Sequence, residues 1–146
     1  MASQELLQRR IDAFPENCRK AGLKLTPQRS AIFSMLASTE SHPTPEEVYS
    51  EIRKNTPSIS LATVYKVLDL FHSRGFVRRV STRDQVARYD AHVEPHHHLI
   101  CTACGRIQDV ADNAIAPAGV GVPGNTDFLV RDYEIQFHGL CGACRT

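Results

Sequence analysis

"SLATVYKVLDLFHSRGFVRRVSTRDQVARYD", residues 60–90, decides the fold of the first half of the chain. Ser60 stands where a hydroxyl caps the first turn of a helix. Leu61, Val64, Leu68 and Phe71 then recur at helical spacing, and Gly75 stops the run. Two short β-like runs follow around a polar turn at Thr82–Gln85. Upstream, Thr26-Pro27 and Thr44-Pro45 each place a capping hydroxyl before a proline, and Glu47 completes a capping box. The helices they open turn Ile32, Met35 and Leu36, then Val48 and Ile52, inward. Residues 3–21 form one more amphipathic helix. Compact helices followed by a hairpin make a winged helix-turn-helix, with the hairpin as the wing.

The buried stripe of the 61–75 helix leaves Ala62, Tyr65, Lys66 and Asp69 outward. Ala62 and Thr63 are small enough for close approach to a major groove. Tyr65 offers a flat surface and a hydroxyl, and Lys66 reaches phosphate or a base edge. Ser58 and Ser60 lie where backbone N–H groups meet phosphate. Arg78, Arg79, Arg83 and Arg88 on the wing are placed to grip the flanking backbone. The competing reading is a helical bundle with a solvated basic face.

Charge separates the halves. Residues 1–88 hold 14 Lys/Arg against 9 Asp/Glu, a balance of +5, whereas residues 89–146 hold 3 against 7, a balance of −4. A basic module and an acidic, ligand-rich module suit a polyanion and a cation. No run approaches the roughly 18 apolar residues of a membrane span. The N-terminus lacks a secretory apolar core, so a cytoplasmic protein is expected.

The second half begins after a texture change at Asp90, giving domains over 1–90 and 96–146 with a hinge at 91–95. "HHLIC" and "RIQDV" read as strands, and "FLVRDYEIQFHGLC" (128–141) as a longer one. Between them, 111–126 is rich in Gly and Pro, which disfavours a long regular helix. Cys101 and Cys104 form one CxxC knuckle, and Cys141 and Cys144 another. Four soft sulfurs in tetrahedral array suit a structural Zn²⁺ with no open position; a redox dithiol is the alternative. Cys18, alone in a helix, reads as a packed side chain.

The triplet His96-His97-His98 presents His96 and His98 on one strand face and His97 on the other. Asp90 and Asp109 can add carboxylates from adjoining strands. Nitrogen and oxygen donors favour Fe²⁺, Mn²⁺ or Zn²⁺; a polar surface strand is the plainer reading.

The segments "LTPQR" (25–29), "SHPTPEEVY" (41–49), "SLATVYKVLDLF" (60–71), "RYD" (88–90), "HHHLICTACGRIQDV" (96–110) and "GLCGAC" (139–144) run in order over nearly the whole chain. Together they resemble the ferric uptake regulator family of metal-dependent repressors. The resemblance implies an α+β fold: an N-terminal winged helix-turn-helix domain and a small C-terminal α/β dimerisation domain with a four-cysteine zinc site. It implies a homodimer on double-stranded operator DNA, with no membrane and no small organic substrate. It carries a regulatory Fe²⁺ or Mn²⁺ site over onto His42, Asp90, His96, His98 and Asp109. The presence of aspartate at both 90 and 109 resembles the peroxide-responsive branch, in which iron oxidises a ligand histidine, here His42 or His96. A plain iron-, manganese- or zinc-responsive repressor is the alternative. Many iron-uptake members place an extra ligand histidine where this chain has Tyr133, so His97 is expected to be an unengaged surface residue. An enzyme or a metal-storage protein fits less well, because no substrate-pocket motif or paired general acid accompanies the winged helix.

Overall fold

The computed structural model describes residues 4–112, 124–130 and 133–146. The chain divides into two compact units, Met1–Val93 and Glu94–Thr146.

The first unit opens with α1 (Gln4–Lys20), α2 (Pro27–Ala37), α3 (Pro45–Ile52) and α4 (Leu61–Ser73). Each of the last three starts as its capping residues dictate. The Thr26 hydroxyl accepts from the Arg29 N–H, and Thr44 and Glu47 form a reciprocal capping box. The Ser60 hydroxyl accepts from the Thr63 N–H at 3.1 Å. Ile32, Leu36, Val48, Val64, Leu68 and Phe71 are buried where the periodicity places them, and Val67 joins them. Met35 and Leu61 are only half-buried. Phe14 of α1 stacks on Phe33 of α2, with centroids 3.9 Å apart, and meets the Phe71 edge at 5.4 Å. This aromatic cluster ties the N-terminal helix to α2 and α4, and Cys18 packs within the same core.

Strands β1 (Arg78–Ser81) and β2 (Ala87–Asp90) pair antiparallel with Arg78 opposite Asp90. The Gln85 N–H closes their turn onto the Thr82 carbonyl, with Gln85 at φ 61. Val80 and Tyr89 are the wing's inward anchors, at 1% and 2% exposure. Helices, cap signals and hairpin make this unit a winged helix-turn-helix.

In the second unit, β3 (His96–Cys101) is central, antiparallel to β4 (Ile107–Ala111) and parallel to β5 (Gln136–Gly139). Of the long strand expected over 128–141, only Gln136–Gly139 is strand among the described residues. Among the described residues before it, the Ile135 carbonyl accepts from the His98 N–H, but the Ile135 N–H is captured by a histidine side chain (below) instead of a ladder carbonyl. Most of the Gly/Pro-rich 111–126 segment lies outside the described residues. No helix among the described residues is long and apolar enough to cross a membrane.

Candidate metal centres and nucleic-acid face

The cysteines close first. Cys101 ends β3, Cys104 follows it in a turn, and Cys141 and Cys144 flank the turn after β5. One sulfur from each can lie within 4.8 Å of all the others. Cys104 Sγ and Cys141 Sγ are 3.8 Å apart, the edge expected of a tetrahedron whose sulfurs sit ~2.3 Å from one ion. The Cys141 N–H donates to Cys101 Sγ at 3.4 Å. That backbone bond, followed by one from Cys104, holds the Cys101 thiol down at about 6. Cys144 is pushed up to about 12, first by its hydrogen bond with Cys141 and then by Cys104 and Cys101. Cys141 is also held down, first by its hydrogen bond with Cys144, so the four thiols share protons through one hydrogen-bonded cluster. The donor set fits a structural Zn²⁺.

In the second unit, β3 puts His96 and His98 side by side, with ring centroids 4.7 Å apart. Asp109 lies opposite His98 across the β3–β4 ladder. Its Oδ1 is 3.5 Å from Nε2 of both histidines. Ligands ~2.1 Å from a common ion are about 3.0–3.4 Å apart, so the trio fits a divalent cation. The far ring nitrogens are already engaged: His96 Nδ1 contacts the Glu94 carbonyl at 2.7 Å, and His98 Nδ1 contacts Glu134 Oε1 at 2.8 Å. Both histidines thus offer Nε2 to the side where Asp109 stands.

The first unit holds a matching pair. His42 Nε2 lies 3.2 Å from Asp90 Oδ2, and both side chains are buried. His42 stands at φ 54 directly before Pro43, a conformation that costs on the order of 1–3 kcal/mol. Two bonds from β2 hold it. Arg88 Nη1 donates to the His42 carbonyl at 3.3 Å, and the Tyr89 N–H donates to the Pro43 carbonyl at 3.0 Å. The His92 N–H fixes the other Asp90 oxygen at 2.8 Å. Sequence reasoning alone sees His42 as a lone loop histidine; the resemblance supplies its role.

Two expectations need correction. His97 is no unengaged surface residue but 1% exposed. Its Nδ1 accepts from the Ile135 N–H at 3.0 Å, so Nε2 carries the proton and donates to Asp112 at 2.7 Å. The Tyr133 hydroxyl donates to the same Asp112 oxygen at 2.9 Å. Arg88, expected on the DNA-gripping wing, is instead half-buried on the His42 loop, with Glu47 at 3.8 Å.

On the face expected to meet DNA, Ala62, Tyr65 and Lys66 are exposed, Ser60 is exposed with its hydroxyl used as the α4 cap, and Thr63 is half-buried. Arg79 is exposed and 3.8 Å from Asp69 of α4. Arg78 is half-buried, its Nε donating to the Val93 carbonyl. Arg83 stays exposed at the wing tip.

A winged helix-turn-helix followed by a small sheet carrying a histidine–carboxylate cluster and four convergent cysteines defines a two-module metal-ligating protein. Residues 20–138 match the model of the Ferric uptake regulator family, and the chain belongs to that family. The peroxide-responsive repressor PerR of Staphylococcus epidermidis is 33% identical over 144 residues, which is 99% of this chain and 96% of that protein. The structure of the Helicobacter pylori ferric uptake regulator Fur, described as having three functional metal-binding sites, matches with a TM-score of 0.73 at 26% identity. That match covers 100% of this chain and 98% of the other. The PerR structure from Streptococcus pyogenes, described in terms of peroxide sensing and gene regulation, matches with a TM-score of 0.54 at 26% identity, over 92% of each chain.

Proposed function

We propose that the protein is a metal-dependent transcriptional repressor that binds operator DNA as a homodimer and senses peroxide. The observation that carries this reading is the Nε2 pair of His96 and His98 facing the short carboxylate of Asp109. His42 and Asp90 form a second buried pair on the winged-helix unit. We assign the five as ligands of one regulatory Fe²⁺ or Mn²⁺, and Cys101, Cys104, Cys141 and Cys144 as ligands of a structural Zn²⁺. A cation shared by ligands of both units would bias their arrangement without touching DNA.

Within this scheme each residue has a bounded task. Ser60, Ala62, Thr63, Tyr65 and Lys66 meet the major groove, and Arg78 and Arg79 the flanking phosphates. Iron bound at the regulatory site would supply the chemistry by which peroxide oxidises a ligand histidine, His42 or His96. Loss of that ligand's lone pair weakens the metal site and frees the operator. A second copy suits the exposed face of the β3–β5 pair. There Leu99 and Phe137 are partners in register, at 41% and 43% exposure. The site serves regulation rather than turnover, and its place is the cytoplasm.

The test is a gel shift on operator DNA with and without Fe²⁺ or Mn²⁺, before and after a peroxide pulse, with mass spectrometry of the iron-loaded protein. Metal-dependent binding, release by peroxide with Fe²⁺ but not Mn²⁺, and one added oxygen on His42 or His96 are expected. Metal-dependent binding without histidine oxidation would make the protein a plain metal-level sensor. Metal-independent binding, or none, would overturn the repressor reading.

A further inference from the structure

His96 and His98 are chemically alike in sequence but not in surroundings. The His96 ring leans on a neutral backbone carbonyl. The His98 ring, 0% exposed, leans on a carboxylate, Glu134 Oε1, which also accepts from Gln136 Nε2 at 3.0 Å. An anionic partner on the far nitrogen fixes the tautomer and makes the near nitrogen a stronger metal donor.

Glu134 reaches His98 from 36 residues away, on a segment outside β5, so something must hold that segment. His97 does. Its ring accepts the Ile135 N–H and donates to Asp112, which also receives the Tyr133 hydroxyl. The residues on both sides of Glu134 are therefore pinned, Ile135 by the His97 ring of β3 and Tyr133 by Asp112 just after β4, and the backbone bond from the His98 N–H to the Ile135 carbonyl completes the clasp. The histidine that faces away from the ligand pair anchors the segment carrying the pair's charged support.

We propose that Glu134 is a positioning residue of the regulatory metal centre, set against His98 by a hydrogen-bonded clasp of His97, Asp112 and Tyr133. This rests on the metal-site assignment made above. His98 is then the anchored ligand.

The experiment uses the full-length, zinc-loaded protein and Mn²⁺ as the probe. Glu134→Gln keeps the shape and an acceptor but removes the charge. It is expected to weaken Mn²⁺ binding about tenfold, and Glu134→Ala more, within the ~10–100-fold range of outer-partner losses. Zinc content and thermal midpoint stay at wild-type values. Nitrogen-15 spectra of the protein without regulatory metal add a readout that mere stability does not move. His98 shows the single Nδ1–H tautomer in the wild type and both tautomers in Glu134→Ala. Asp112→Asn, which loosens the clasp, shifts the affinity in the same direction by less. Wild-type Mn²⁺ affinity retained within twofold in both Glu134 variants overturns the inference alone. Parallel loss of zinc or melting temperature in Glu134→Gln also overturns it, because the residue would then be a general structural support. A wild-type protein without Mn²⁺ affinity overturns the metal-site assignment and this inference with it.

Discussion

Tyr65 of α4 donates its hydroxyl to the Glu46 carboxylate of α3 at 2.5 Å. The bond holds the Glu46 carboxyl below its usual range and raises the Tyr65 phenol. A residue proposed to meet DNA is thus steadied by an acid that phosphate would repel. Tyr65→Ala should lower operator affinity by about 1–3 kcal/mol through the lost base contact, with metal content unchanged. Glu46→Gln should move the other way, raising affinity as a like charge leaves the interface. Lys66→Ala should reduce the salt slope of binding by about 1 if it meets phosphate. Fluorescence anisotropy across a salt series reads all three, and operator binding unmoved by Tyr65→Ala and Lys66→Ala would remove α4 from the interface.

The four sulfurs stand or fall together. Cys141→Ser should abolish zinc binding and forfeit much of the metal's folding contribution, about 10 kcal/mol or more in small zinc modules. Metal analysis beside thermal unfolding and sedimentation checks it. A zinc-free variant that melts and dimerises like the parent would refute a structural role.

Arg88 offers a way to loosen the proposed regulatory site without removing a ligand. Arg88→Met removes the donor to the His42 carbonyl and with it part of what holds the left-handed His42. A loss of about 1 kcal/mol in positioning corresponds to roughly fivefold weaker Mn²⁺ binding, read by titration calorimetry. If Mn²⁺ affinity is unchanged, the His42 loop is held without Arg88.

Asp109, as a proposed ligand, offers a test that separates metal sensing from peroxide sensing. Asp109→Glu adds one methylene, which changes the carboxylate's bite or covers the position peroxide needs. Metal-dependent DNA binding should persist while histidine oxidation slows at least about tenfold, roughly 1.4 kcal/mol on the barrier. Asp109→Ala should instead weaken Fe²⁺ binding itself. Oxidation and operator release at the parent rate in Asp109→Glu would reassign the chain as an iron or manganese sensor.

Much of this molecule is written locally. Thr26, Thr44 and Ser60 announce their helices because a cap and the N–H it serves are at most three residues apart. The four cysteines announce a common site because thiolates at CxxC spacing have few other uses. Periodicity also assigns most of the helical core, though it leaves out Val67, which a wider apolar stripe buries. What spacing cannot encode is which distant residue arrives. Asp112 comes to His97 across 15 residues, and Glu134 to His98 across 36. Both look like ordinary surface acids in the sequence. Arg88 misleads for the same reason: a basic residue on a wing reads as solvent-facing until the loop that accepts its hydrogen bond is placed.

The parallel pairing of β3 with β5 has a consequence for assembly during synthesis. Ile100 sits opposite His138, so the central strand waits for a late partner, and long loop closure slows such pairing. The helices of the first unit draw on nearer contacts and can consolidate while the rest of the chain is still emerging. His42 and Asp90 would then be in place before the strand bearing His96 and His98 has its second neighbour. Every residue proposed as a regulatory ligand precedes β5 in the chain, whereas the four thiols are divided, with Cys101 and Cys104 before it and Cys141 and Cys144 after it. Closure of the four-sulfur cluster therefore waits until β5 has joined and the second CxxC pair has followed it.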